Sequence, residues 1–144
     1  MPFYEVQHFI PLEKSERDEL AKTITHTRKF TTPSAFVNAQ FTEISQHHNY
    51  VAGKESTTNR IIANVRTGAT RTATDFDELA QSIQNAWDRI VNKGEAEAKK
   101  GELTRVFVMG SITAGLENGL LLPRAGKDID WLKEDSPKYQ ELAD

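Results

Sequence analysis

The stretch RIIANVRTGATRTATDFDELAQSIQNAWDRIV, residues 60–91, decides the fold. Its first seven residues alternate, Ile61, Ala63 and Val65 against Ile62, Asn64 and Arg66, which is the period of a strand with two unlike faces. Thr67-Gly68-Ala69-Thr70 turns the chain. Phe76, Leu79, Ala80, Ile83, Trp87, Ile90 and Val91 then keep the i, i+3, i+4, i+7 spacing of one buried helix face. Thr74 with Asp77 is expected to cap that helix and Gly94 to stop it. Residues 103–109 read as the next strand, so residues 59–110 make one β-α-β unit.

The same order appears upstream. Residues 2–9 read as a strand with Tyr4 and Val6 on one face and Phe3, Glu5 and Gln7 on the other; Pro11 ends it. Ser15, with Asp18 three residues on, is expected to open a helix whose apolar stripe is Leu20, Ala21, Ile24 and Thr27. Residues 31–34 turn, and residues 36–44 form a second strand rich in β-formers. Residues 1–45 are thus a first β-α-β unit of about equal length, and the polar, aperiodic stretch 45–58 is expected to be a long loop.

Two such units predict an α+β fold: one four-stranded sheet with both helices on one face, in a single domain over 1–144. No further long amphipathic helix remains for the other face, so a second subunit is the expected cover and the chain is expected to be oligomeric. Residues 111–144 read as an irregular tail that wraps a neighbour or lids a pocket.

Composition narrows the function classes. The formal charge of −3 gives no reason to expect nucleic acid or an anionic membrane as partner. The absence of cysteine excludes disulfides, thiolate metal sites and cysteine nucleophiles. No apolar run approaches a membrane span and no signal pattern opens the chain, so a cytoplasmic protein is expected.

Pro2 is the most informative single residue. Aminopeptidases generally remove Met1 before so small a residue, which exposes a secondary amine able to exchange protons or attack a carbonyl from a rigid ring. Such an amine titrates near neutrality when burial or a cation perturbs it. Arg66, at the end of a strand, and Arg71, at the mouth of a helix, suit a carboxylate: planar forked donors beside orphan helix N–H groups. Glu117, flanked by glycines at 115 and 119, has the chemistry of a general base for water, although loop glutamates are mostly solvated. Adjacent His47 and His48 do not form a metal site, because neighbouring imidazoles rarely converge on one ion, and no metal is expected. GSITAG at 110–115 lacks the lysine of a phosphate-binding loop.

Three stretches in this order carry a resemblance: Ala21-Lys22-Thr23-Ile24-Thr25, Val65-Arg66-Thr67-Gly68, and Glu117-Asn118-Gly119-Leu120-Leu121-Leu122-Pro123 through Trp131. With a proline-first strand and two β-α-β units, the chain resembles the tautomerase superfamily. More narrowly, it is similar to the cis-3-chloroacrylic acid dehalogenase-like, oxalocrotonate tautomerase-like branch. The resemblance implies a homotrimer with pockets at the sheet ends, no cofactor, and a small carboxylate substrate. Pro2 is then the catalytic amine, Arg66 the first carboxylate-binding arginine and Glu117 the water-activating acid. Arg71 fills the second arginine position only if two extra residues sit in the turn; otherwise Ala69 stands there. Where the family's dehalogenase has a histidine this chain has Arg28, with His26 half a turn away, and where it has a tyrosine in the fourth strand this chain has Met109. Tyr4 and Asn118 are weaker site candidates. The expected activity is tautomerisation of keto/enol or unsaturated carboxylates. The alternatives are a hydratase or dehalogenase acting on 3-haloacrylate-like acids, a non-catalytic trimeric binding protein, and a dimeric ferredoxin-like barrel in which Pro2 plays no part.

Overall fold

The computed structural model describes residues 2–26, 34–68, 70–95, 99–110, 114, 116, 117, 120 and 121. The first unit runs β1 (Phe3–His8), α1 (Lys14–Thr25), a 3-10 turn (Ser34–Phe36) and β2 (Asn38–Glu43). A hairpin follows, β3 (Tyr50–Val51) and β4 (Lys54–Glu55). The second unit is β5 (Asn59–Val65), α2 (Ala73–Ile90) and β6 (Leu103–Gly110), and β7 (Leu116–Glu117) pairs with β8 (Leu120–Leu121).

The main sheet has the order β2-β1-β5-β6. Each unit pairs its own strands in parallel, β1 with β2 and β5 with β6, and the units meet through the antiparallel pair β1–β5. This is the expected α+β architecture, with four strands and two helices that pack on each other. Arg89 of α2 spans the helices, with Nη1 2.9 Å from Glu19 Oε1 and Nη2 3.3 Å from Thr23 Oγ1. Alternation sorts the sheet into an inner face, where Tyr4, Val6, Ile61, Ala63 and Val65 are buried, and an outer face bearing Phe3, Glu5, Ile62, Asn64, Phe107 and Met109. Leu20 and Ile24 from α1, and Leu79, Ile83, Ala86, Trp87 and Ile90 from α2, close the core over the inner face.

Four local expectations need correction. α1 begins at Lys14 after Glu13, not at Ser15: Glu16 Oε2 accepts the Glu13 N–H at 2.8 Å, while Asp18 instead pairs with Lys14 at 2.5 Å. α2 is capped by Thr72 and Asp75, one matching pair upstream of Thr74 and Asp77; the Thr72 N–H donates to Asp75 Oδ2 at 2.7 Å. Both pairs have capping-box spacing, and sequence alone cannot choose between them. Phe36 lies in the 3-10 turn and β2 starts at Asn38, because Val37 N–H closes onto Ser34 O at 3.0 Å. Finally, the stretch 45–58 holds the β3–β4 hairpin, turned by Ala52 and Gly53 at positive φ. Gly94 does sit where α2 unwinds: it has φ +71°, and its N–H reaches back to Asp88 O at 2.9 Å.

Candidate active site

The sheet has two ends, and topology sends most candidate residues to one of them. β1 and β2 begin there, β5 and β6 finish there, and α2 starts there. Pro2 is buried just before β1, and its carbonyl accepts the Asn38 N–H at 3.0 Å, which ties it to the neighbouring strand. Because Phe3 lies opposite Asn64 in an antiparallel pair, the chain leaving β5 through Val65 and Arg66 passes beside Pro2. Arg66 is buried, at 7% exposure, although it is a charged residue at a strand end. Burying a guanidinium costs free energy unless anions or dipoles face it, so such a position suits a residue whose partner is an anion.

Arg71 stands between the turn and the helix cap. Its N–H closes on Gly68 O at 3.0 Å, and Thr72 caps α2 directly after it. Its Nη1 donates to the main-chain carbonyl of Arg66, which folds the side chain back over the end of β5. Two arginines and the start of a long helix therefore lie within one short stretch of chain, an arrangement that suits a carboxylate.

Tyr4 lies one pleat in from Pro2 on the helix-facing side, with Ala39 and Ala63 as its cross-strand neighbours. Burial pushes its phenol up to about 12, and the positive charge of Arg71 partly opposes this. Tyr4 is a neutral O–H at any ordinary pH.

Other candidates fall elsewhere. Met109 is half exposed on the opposite sheet face, paired with Asn64. His26 is the C-cap of α1, where its Nδ1 lies 2.7 Å from Lys22 O in an exposed position. His47, at φ +70°, bonds through Nδ1 to Glu55 Oε2 at 2.7 Å across the hairpin. Among the described residues no group of three or more His, Asp or Glu is placed to hold a metal ion. The backbone of Glu117 lies in β7 opposite Leu120; its side chain, Arg28, Ala69 and Asn118 lie outside the described residues. The Arg71 brace on the Arg66 carbonyl had no sequence signal. Its best clue was the Thr72–Asp75 spacing, which puts Arg71 directly before the helix cap instead of inside the turn.

A cleft of about 500 Å³ opens at the other end of the sheet, lined by Glu13, Glu16, Val91, Asn92, Lys93, Glu95 and Lys100. Two of its charges pair: Lys100 Nζ is 2.6 Å from Glu16 Oε2.

Solved structures share this fold. A member of the cis-3-chloroacrylic acid dehalogenase family, N1, is 23% identical with a TM-score of 0.74, covering 97% of this chain and 96% of that one. Native RhCC from Rhodococcus jostii RHA1 is 16% identical with a TM-score of 0.68, covering 92% and 96%. The Q0 fused 4-OT wild type, described as a symmetric trimer, is 19% identical with a TM-score of 0.65, covering 86% and 98%. The fold is that of the tautomerases. The model of the family described as "putative oxalocrotonate tautomerase enzyme" matches residues 1–136, and the chain belongs to that family. No curated protein sequence matches it.

Proposed function

We propose that this chain is an enzyme, a cytoplasmic homotrimer that uses the amine of Pro2, freed by removal of Met1, as acid and base on small keto/enol or unsaturated carboxylates. No cofactor enters the reaction. The observation that carries this reading is the burial of Pro2 at the sheet end that also holds Arg66 and Arg71, in a chain of the tautomerase family. Tautomerase-superfamily members are generally enzymes, and a fused 4-OT neighbour that is a trimer supports the assembly. Among the described residues no helix is long and apolar enough to cross a membrane.

In the ketonisation of an enol acid, the neutral Pro2 nitrogen takes the enol O–H proton, and the resulting ammonium returns it to C3. The C2–C3 double bond moves to C2–O, and no atom is gained or lost. Arg66 and Arg71 hold the C1 carboxylate. Cations around an amine disfavour its charged form, so these arginines poise Pro2 as a base. Replacement of the family's histidine and tyrosine by Arg28 and Met109 weighs towards this mode and against a dehalogenase or hydratase in which Glu117 activates water.

The test uses the mature chain. Pro2→Ala keeps an amine but loses the ring, and ketonisation of an arylenolpyruvate is expected to fall by about 10²–10⁴ with the fold intact. Arg66→Ala is expected to weaken carboxylate affinity by about 1.5–3 kcal/mol. A halopropiolate should label the N-terminal proline by mass spectrometry and spare a chain that retains Met1. Wild-type rates in Pro2→Ala, or a label elsewhere, would give the site to a binding function without proton transfer.

A further inference from the structure

We propose a second anion site on this chain: the guanidiniums of Arg60 and Arg105, with the hydroxyl of Thr58, bind a phosphate-type oxyanion on the outer face of the sheet. The site lies where β5 begins, at the opposite end of that strand from Arg66, and is independent of the reaction assigned to Pro2.

The register puts the two arginines together. β5 and β6 pair in parallel, with Asn59 opposite Leu103 but Arg60 opposite Arg105. Unbroken pairing would set Thr104 beside Arg60, so β6 carries one extra residue at this point, and such a shift re-aims the side chains that follow it. Val106 and Val108 then pack against the core, while Arg60, Ile62, Arg105 and Phe107 take the outer face. Neighbouring strands run about 4.8 Å apart, and like charges directly opposite each other are destabilising. Among the described residues neither guanidinium forms an ion pair with a carboxylate. Glu5, an acid on the same face, stands opposite Gln40 and Ile62, two residues along from the Gln7–Arg60 pair.

Both arginines are held instead by neutral oxygens. Arg60 Nε donates to Gln7 Oε1, and Arg105 Nη1 donates to Thr58 Oγ1 at 3.3 Å. Thr58 directly precedes β5, so Arg105 leans towards the strand that carries Arg60. Thr58 Oγ1 also accepts from Asn49 Nδ2 at 3.3 Å. A hydroxyl has two acceptor positions and one proton; with both positions taken, the O–H of Thr58 is left to donate. The three side chains, all half-buried, thus offer N–H and O–H donors and no negative charge. A multivalent oxyanion answers that set. It takes charge-assisted bonds from both guanidiniums and turns their mutual repulsion into a shared attraction. Phosphate suits the site better than a carboxylate, which brings two oxygens and a single charge.

The experiment uses the full chain in phosphate-free buffer, with inorganic phosphate as the probe and acetate as the carboxylate control. Arg66→Ala is the background for calorimetry, so that the substrate pocket takes no part. That background should bind phosphate more tightly than acetate, and adding Arg60→Gln or Arg105→Gln should weaken phosphate by at least about tenfold. A second measurement needs only Arg105→Gln beside wild type. Without phosphate the variant should have a Tm equal to or above wild type, because it relieves the repulsion; with phosphate the wild type should become the more stable. Ketonisation of an arylenolpyruvate should be unchanged in Arg105→Gln. Phosphate binding that is lost in Arg66→Ala alone, that survives Arg105→Gln, or that is no tighter than acetate overturns the proposal. An Arg105→Gln variant less stable than wild type without phosphate gives Arg105 a structural role through Thr58 and overturns it too. A lower assembly mass for Arg105→Gln in sedimentation overturns it in favour of a carboxylate from a second copy of the chain.

Discussion

The two ends of the sheet use polar residues in opposite ways. At the end where β1 finishes, every buried polar group named here has an internal partner. Asn59 accepts from Phe9 N–H at 2.8 Å and donates to Glu102 O at 2.9 Å. Asn92 takes the Gly101 N–H at 3.1 Å, and Trp87 Nε1 donates to Gly101 O at 2.9 Å. Gly101 itself is packed so closely that a Cβ there would lie 2.7 Å from Ile10 Cδ1. At the other end Arg66 is buried, and Arg71 folds back over the end of β5 directly before the α2 cap. One end spends its hydrogen bonds on stability. The other brings two arginines to the start of a long helix, which is the division expected between a scaffold and a site.

The largest expected effect breaks the first half of that comparison. Trp87 is fully buried and its ring nitrogen is the link to Gly101, so Trp87→Ala should cost about 3–5 kcal/mol in urea unfolding. The loss is expected in stability alone: substrate KM of the folded fraction should match wild type. A variant of normal stability, or one with a selective KM defect, would show that the two ends are not separate.

The fold was readable in the sequence because its signals are periodic. Alternation in residues 60–66 and the α2 stripe name the inner faces outright, and the repeat of the pattern gives the second unit. What escaped were features decided by one competing contact. Ser15 and Asp18 have the right spacing for a cap, but Lys100, 84 residues from Glu16 in sequence, holds Glu16 where it caps Glu13 instead. Thr72 and Thr74 each have an aspartate three residues on, and only the closure of Arg71 N–H onto Gly68 O selects the first. Of the site, residue type and order were legible: Pro2, Arg66 and Arg71 stand out as chemistry, and topology brings them to one end. Tyr4, an inward aromatic on a strand, reads as core and sits in it.

A smaller effect sharpens the second half of the comparison, and it is read by pH. The folded phenol of Tyr4 titrates at about 12, against about 10 for an unfolded tyrosine. Below pH 10 neither state ionises and Tyr4 adds no pH dependence. Between about 10 and 12 the unfolded state gains charge that the folded state cannot, so stability falls, by up to about 2–3 kcal/mol in all. The difference between wild type and Tyr4→Phe in chemical denaturation isolates this group from other titrations. It should be flat to pH 10 and then shift against wild type; a flat difference to pH 12 would mean that the phenol is open to water.

The smallest expected effect returns to the end where β1 finishes and concerns Glu16. Burial raises its carboxyl, but the Lys100 ammonium at 2.6 Å and the Glu13 N–H at 2.8 Å more than offset that, and the net shift is downward from 4.5. A depressed carboxylate contributes its stability above the unfolded value and loses it as pH falls through the folded one. Glu16→Gln keeps an oxygen for the Glu13 N–H but drops the charge that Lys100 meets, and Lys100 is itself partly exposed. The variant should therefore be about 1 kcal/mol less stable at neutral pH. The deficit should shrink as pH falls below 4.5, where wild-type Glu16 becomes protonated and loses the same attraction. Added salt should reduce it only slightly at neutral pH, because Glu16 is shielded from solvent even though its partner is not. A deficit that persists unchanged into acid would assign the cost to the helix cap and not to the ion pair.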